Sequence, residues 1–512
     1  MINRQLAQLT STKRLPLWIG LAALAGLIYL GAAQFGAGAN GFPLDDAWIH
    51  QTYARNLGLR GEFAFTPGLP SAGSTAPLWS ALLGVGYFLR VPFKLWTHGL
   101  GILFLGLSGF SMARLGQTLF ANRPWLGPLI GLSVVAEWHL IWAAVSGMET
   151  GLFVWLTIFL LERYAATQIA PRPRALLQLG LVGGLLALVR PEGVGLLGLV
   201  GLDMCLPAIA ARRRPLGRTA ARLAALGAGA LLPLMPYLAF NLSTSGLLLP
   251  NTFYAKQHEY AILLSQVNPL QRWLGVVGVT LIGGQVLLLP GLAVGLARAV
   301  KERHPLLLII AGWWLGYLTL YAFRLPVTYQ HGRYQMPTLP WLLLLGIWGT
   351  ANLLRSKPRS MWARVASKAL AVSIVAAMLL FVSVGARGYA NDVQFIETEM
   401  VAVAHWLAQN TPPQTVIAAH DIGAIGYFTQ RPLVDLAGLV TPDVIPFIRD
   451  EAALLAFARA RGAAYLVTFP RWYPAISASL PQVYSTNSPW AIAAKYDNIA
   501  VYNITHNGHI ER

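Results

Sequence analysis

Twelve apolar stretches separated by short tracts of arginine and lysine constrain this chain more than any single motif does. They lie near 15–35, 76–90, 95–113, 124–146, 148–162, 176–189, 193–208, 223–240, 273–297, 305–323, 337–354 and 366–386. A full bilayer crossing needs about 20 residues, and several stretches are short or broken by Gly and Pro, so the pattern predicts about nine to twelve true spans. Only 11% of the 512 residues are charged, against roughly 25% in a soluble globular chain. A large cytosolic enzyme and a disordered chain are both excluded. The net charge of +18 would suit a nucleic-acid binder, but its distribution argues for a membrane.

Nineteen of the 38 basic residues fall in five short loops. These hold Arg4, Lys13 and Arg14; Arg163, Arg172 and Arg174; Arg212, Arg213, Arg214, Arg218 and Arg222; Arg298, Lys301 and Arg303; and Arg355, Lys357, Arg359, Arg364 and Lys368. Such loops stay cytoplasmic in a polytopic membrane protein. The N-terminus is then cytoplasmic, and the outer face receives 36–75, 190–192, 243–272, 324–336 and everything after about 387. Parity breaks between Arg90 and Glu162, where three apolar segments lie although an even number must cross. One of the three is therefore partial or re-entrant. The first apolar run has a basic flank but no small-residue cleavage site before a polar start, so it reads as a span and not a signal peptide. Cys205 stands alone and cannot form an intramolecular disulfide.

The tail from about 390 to 512 changes character. Thr415–His420, Pro432–Leu436 and Ala464–Phe469 have strand composition, and Ile396–Gln409 and Glu451–Arg461 have helical spacing. This alternation predicts a C-terminal extracytoplasmic α/β domain beyond a transmembrane domain of residues 1–389.

The first outer loop carries the densest chemistry, Asp45-Asp46 followed by Ala47-Trp48-Ile49-His50-Gln51-Thr52-Tyr53. On a helix, Asp46, His50 and Tyr53 share one face. Asp45 sits near the helix start, where the dipole favours an anion. An ionised Asp there suits a general base toward an acceptor hydroxyl, and two adjacent acids permit a divalent cation such as Mg or Mn. The plainer reading is that one of them caps the helix. Four more outer sites add polar groups: Glu149, Arg190 with Glu192, Asn251 with Lys256, and His331-Gly332-Arg333-Tyr334. Charges at such depth are costly and point to function; the plainer readings are that Arg190 and Glu192 pair, that Lys256 is a solvated loop charge and that Arg333 anchors at headgroups. Together, acids on one wall and Arg, Lys and His on another suit an anionic phosphate and a hydroxyl acceptor. No cytoplasmic loop holds a Gly-rich phosphate cradle, and no HExxH, CxxC or GxSxG motif occurs.

These landmarks resemble the GT-C superfamily of integral membrane glycosyltransferases, and within it the terminal arabinofuranosyltransferase branch. The resemblance rests on Asp45-Asp46-Ala47 with Tyr53-Ala54-Arg55-Asn56-Leu57, Ser71–Trp79, Ser146–Thr150, Arg190–Gly193, Asn251–Lys256, His331–Tyr334, and His420–Phe428 with Asp435–Leu439. It implies a polytopic α-helical, GT-C-like fold and a polyprenyl-phosphate sugar donor. It implies Asp45 as catalytic base with Asp46 beside it, and a donor pocket at Arg190, Lys256, His331 and Arg333. His420 and Asp421 are then placed to meet a glycan, lipid or protein acceptor, or else to close a β–α turn. Nucleic acid is not an expected partner. A secondary transporter or lipid-linked flippase is the rival reading, since broken helices with polar residues suit one as well. A non-catalytic binding module on a membrane scaffold is the third.

Overall fold

The computed structural model describes residues 9–169, 173–210, 216–354 and 360–505. Of the basic tracts, Arg4, Arg172, Arg212, Arg213, Arg214, Arg355, Lys357 and Arg359 lie outside the described residues. Among the described residues six helices are long and apolar enough to cross a membrane: Thr12–Ala37, Phe93–Leu119, Gly217–Ser245, Gly284–Glu302, Pro305–Arg324 and Arg364–Asn410. A bent pair, Leu126–Val135 and Trp138–Val145, would make a seventh, and Pro77–Phe88, Pro173–Val189 and Gly193–Leu206 are shorter apolar helices. Against the nine to twelve true spans expected, six described helices, or seven with the bent pair, are long and apolar enough to cross.

Helix α1 (Leu15–Ala37) shows why such residues form these elements. It is apolar all round, but only Trp18, Ala22, Gly26, Tyr29 and Ala33 are buried, a stripe at three- and four-residue spacing. Leu24, Leu27 and Phe35 remain exposed, as lipid-facing side chains are. Close approach to α3 (Phe93–Leu119) needs small residues. A Cβ on Gly106 would lie 2.9 Å from the Cα of Ile19.

Between them in the chain comes α2 (Asp45–Arg60), which ends at Gly61, left-handed at φ 72° and bonded back to Asn56 and Leu57. The bent pair, α4 (Leu126–Val135) and α5 (Trp138–Val145), turns by 52°. It falls in the stretch where the loop charges require a partial or re-entrant segment. The Glu137 side chain caps α5 by accepting from Leu140 N. Then come α6 (Thr150–Ile169), α7 (Pro173–Val189), α8 (Gly193–Ala210), α9 (Leu216–Ser245), α10 (Asn251–Glu259), α11 (Pro305–Arg324) and α12 (Met361–Ile396). The last continues through a wide π-type turn at Glu397–Val401 into Ala402–Asn410, so the chain enters its C-terminal domain along one rod.

That domain holds a five-stranded sheet of order β2-β1-β3-β5-β4, made of β1 (Val416–Ala419), β2 (Leu433–Asp435), β3 (Ala463–Thr468), β4 (Gln482–Ser485) and β5 (Ala500–Asn503). β1 runs parallel to β2 and β3, and β5 runs antiparallel to β3 and β4. Alternation along the strands divides the sheet. Ile417, Ala419, Val467 and Val501 join the core shared with the membrane helices, while Ala418, Leu466 and Tyr502 form a separate core with Leu454. The sheet therefore rests on the helical domain by one face. After β1 the short helix α13 (Gly423–Thr429) packs against α2.

Candidate active site

Two neighbouring side chains on α2 have different fates. Asp45 is buried, and its carboxylate accepts the backbone N–H of Gly423 at 2.6 Å and of Ala424 at 2.8 Å, holding the first turn of α13. Burial pushes its pKa up to about 6, against the pull of those two N–H groups. Asp46 turns the other way. Its carboxylate receives Arg333 Nη2 at 2.6 Å and stands 3.5 Å from Lys256 Nζ. Burial opposes its ionisation, but the Arg333 and Lys256 charges hold the carboxyl far below the usual carboxylate range.

Asp46 lies where two cavities meet. The first, of about 1060 Å³, opens among the membrane helices and is lined by Asp46, His50, Glu149, Arg190, Glu192, Lys256, Arg333 and Tyr334. Eight of the residues singled out from the sequence thus face one space. Their charges are matched in a chain. His50 Nε2 lies 3.3 Å from Glu149, which holds Arg190 Nε at 3.2 Å, and Tyr321 donates to Glu192 at 2.6 Å. The Tyr334 hydroxyl accepts from Lys256 at 2.8 Å and from Arg333 at 2.9 Å. Although burial works against it, those two cations hold the Tyr334 pKa below its usual value. Two donors stay open: Arg333 Nε and Nη1 are buried without a hydrogen-bond partner among the described residues.

The second cavity, of about 1570 Å³, lies against the C-terminal domain. It shares Asp46, Lys256 and Arg333 and adds Glu259, Tyr260, Tyr329, His420, Asp421, Trp472 and Tyr473. His420 Nδ1 pairs with the Tyr473 hydroxyl at 2.7 Å, and burial brings its pKa down to about 4.

The remaining expected residues stand behind the walls. Tyr53 bonds Ser71 Oγ at 2.6 Å and accepts from Gly73 N at 3.2 Å, so it fixes the turn whose Gly73, Ser74 and Thr75 line the first cavity. Only glycine fits at 73, where a Cβ would lie 2.6 Å from Leu439 O. Asn251 donates its backbone N–H to Ala72 O at 2.8 Å. His331 lines neither cavity. It has φ 57° and pairs with Asp392 at 2.7 Å, while Trp142 Nε1 donates to the same carboxylate oxygen at 2.9 Å. That contact fixes the loop carrying Arg333. Sequence reasoning missed Asp392, Tyr321, Ser74, Arg324 and the ring set of the second cavity. Asp392 alone carried a signal, as an acid four residues before the end of an apolar helix.

Asp45, the expected base, lines neither cavity, and each of its oxygens accepts one backbone N–H of α13. Nor do Asp45 and Asp46 fit a shared divalent cation. One carboxylate is held by backbone N–H groups and the other by Arg333 and Lys256, which leaves no common oxygen set. Among the described residues no group of three His, Cys, Asp or Glu is placed to hold a metal ion.

The polytopic helical body with its small mixed-sheet domain is similar in fold to solved structures of ArnT, of an oligosaccharyltransferase and of an arabinofuranosyltransferase. ArnT from Cupriavidus metallidurans, bound to undecaprenyl phosphate, aligns with 96% of this chain and 98% of its own at 16% identity and a TM-score of 0.54. The Archaeoglobus fulgidus oligosaccharyltransferase AglB, in complex with an inhibitory peptide and a dolichol-phosphate, aligns with 90% of this chain and 70% of its own at 9% identity and a TM-score of 0.58. A mutant of the mycobacterial arabinofuranosyltransferase AftD aligns with 98% of this chain and 42% of its own at 16% identity and a TM-score of 0.51. Residues 383–508 match a family described as a domain of unknown function, DUF8728. No curated protein matches.

Proposed function

We propose that this protein is a membrane glycosyltransferase that moves a sugar from a polyprenyl-phosphate donor to an acceptor hydroxyl on the outer side of the cell membrane. The observation that carries the reading is the pair of open guanidinium donors on Arg333, buried beside Lys256 in a cavity among apolar helices. Two unpaired N–H groups on a charge-matched arginine are costly unless an anion completes them, and a planar guanidinium fits phosphate oxygens bidentately. Leu320, Leu325 and Phe253 line the same cavity and suit the first units of a lipid chain. The polyprenyl phosphates bound to ArnT and AglB support this donor class. Arabinofuranose is the sugar favoured by the likeness to AftD and by the first-loop motif.

The chemistry follows from the charges. An acceptor oxygen attacks the anomeric carbon, forming the new glycosidic bond as the bond from that carbon to phosphate oxygen breaks. The electron pair leaves with the lipid phosphate, steadied by Arg333 and Lys256. The hydroxyl proton goes to Asp46, the carboxylate of the pair that faces both cavities. One displacement inverts the anomeric centre. Asp46 alone is too weak a base while two cations hold it, but an arriving phosphate takes a share of Arg333 and Lys256 and raises its basicity. Donor binding thus switches on the base.

The test uses purified protein in nanodiscs with decaprenyl-phosphoryl arabinofuranose and other polyprenyl-phosphate sugars, each with a panel of acceptors. Wild type transfers sugar and Asp46→Asn does not. Movement of donor across the bilayer without any transfer would instead favour a flippase and sink the reading.

A further inference from the structure

The second cavity is larger than a sugar-phosphate needs and has a different lining. We propose that it is the acceptor site and that its ligand is a glycan, held by the faces and hydroxyls of its sugar rings. The inference rests on the glycosyltransferase reading and adds the class of acceptor to it.

Three observations carry it. The first is continuity: Asp46, Lys256 and Arg333 border both cavities, so a ligand in the second reaches the reacting centre without crossing a wall. The second is a set of rings. Trp472 is 46% exposed and stands edge-on to His420 at 4.7 Å between centroids, while Tyr260 and Tyr329 lie 6.3 Å apart with their hydroxyls bonded at 3.3 Å. Aromatic faces are electron-rich and attract the polarised C–H bonds on the flat side of a pyranose or furanose. The third is the polar complement. Asp421 lines the cavity with no hydrogen bond or cationic partner among the described residues, while Glu259 bonds Tyr260 and stands 3.8 Å from His420. Lys256 and Arg333 are paired with Asp46 and Arg449 with the backbone oxygen of Glu259, so that of the cations only Arg333 keeps donors without a partner, Nε and Nη1. An open carboxyl beside cations already paired with acids suits a neutral polyol, whose hydroxyls donate to it. Burial, and then the Asp45 and Asp46 charges, raise the Asp421 pKa well above the usual range. Beside the rings only Ala437, Leu439 and Ile448 are apolar, and they share the lining with Asp46, Glu259, Asp421 and Glu451, a poor match for a lipid chain.

The experiment is binding without donor. Full-length protein in nanodiscs is titrated with arabino-oligosaccharides, with malto-oligosaccharides and with a neutral hexapeptide, each followed by saturation-transfer NMR. At least one oligosaccharide series binds and the peptide does not. Trp472→Ala and the near-isosteric Asp421→Asn each weaken that binding about tenfold or more, while the Kd for undecaprenyl phosphate stays at the wild-type value. Trp362→Ala, an exposed ring on α12, changes neither. Saturation by the peptide alone, or oligosaccharide binding that both variants leave unchanged, would overturn the proposal. Failure of the glycosyltransferase reading shows separately, as absence of transfer by wild type from every donor.

Discussion

The two cavities share Asp46, Lys256, Arg333 and Leu439 yet differ in what each adds to them. In the first, the acids are paired, and the atoms left without a hydrogen bond are Nε and Nη1 of Arg333 and one oxygen each of Glu149 and Glu192. The second adds to the shared charges the Asp421 carboxyl and a set of aromatic rings. The difference teaches that Asp46 works as a divider. By neutralising Arg333 and Lys256 toward one side it keeps an anion site and a polyol site within one continuous space. Removing it should blur the two.

The largest effect is expected there. Asp46→Asn keeps the shape and removes the charge, and transfer should fall by about 10²–10⁴-fold, the usual worth of a positioned base. If Asp46 also divides the cavities, the variant binds undecaprenyl phosphate more tightly than wild type, because two cations are released. A titration of that lipid phosphate checks it, and unchanged affinity would remove Asp46 from the ion network. Arg333→Lys tests the other side. A lysine offers no planar fork, so kcat/KM for the donor should fall about 10²–10³-fold, in line with the loss of a preorganised donor to a developing anion. Oligosaccharide binding should not change.

A subtler expectation concerns pH. In the free enzyme the Asp46 carboxyl is held far below the usual carboxylate range by Arg333 and Lys256, so it stays ionised as pH falls through 5 and 4. With donor bound, phosphate shares those cations and the pKa rises, so protonation sets in at higher pH. The acid limb of kcat, which reports the complex, should therefore lie at higher pH than that of kcat/KM, which reports the free enzyme. Coincident limbs would mean that phosphate does not share the cations.

Much of the first cavity was legible in the sequence because a membrane makes charge conspicuous. Glu149, Arg190, Glu192, Lys256 and Arg333 stand out against apolar neighbours, and cost alone marks them. The division of labour between Asp45 and Asp46 was not legible. Successive residues on a helix point about 100° apart, and which one meets the cavity depends on α13, some 378 residues away. His331 misled for a related reason. Its charge suggests a ligand contact, but left-handed backbone at Gln330, His331 and Gly332 turns it toward Asp392. The parallel strands and the helix Glu451–Ala460 follow from periodicity. β4 and β5 do not, because Gln482–Ser485 is short and largely exposed, and its pairing is fixed only by its neighbour.

The smallest effect is the one that separates the two aspartates. If Asp45 serves to hold α13 against α2, replacing it should cost stability before it costs chemistry. Asp45→Asn keeps the volume but turns an amide N–H toward one of two backbone donors, and the orphaned buried group should cost about 1–3 kcal/mol. A lowered unfolding temperature, with earlier proteolytic release of the C-terminal domain, would show it. Gly423→Ala approaches the same contact from the other side, since its Cβ would fall 2.0 Å from Asp45 O and force the helices apart. Both variants should retain more transfer, measured at low temperature, than Asp46→Asn. Should Asp45→Asn abolish transfer with its unfolding temperature unchanged, the roles of the two carboxylates are the reverse of those drawn here, and Asp46 only sets the charge of the pocket in which its neighbour reacts.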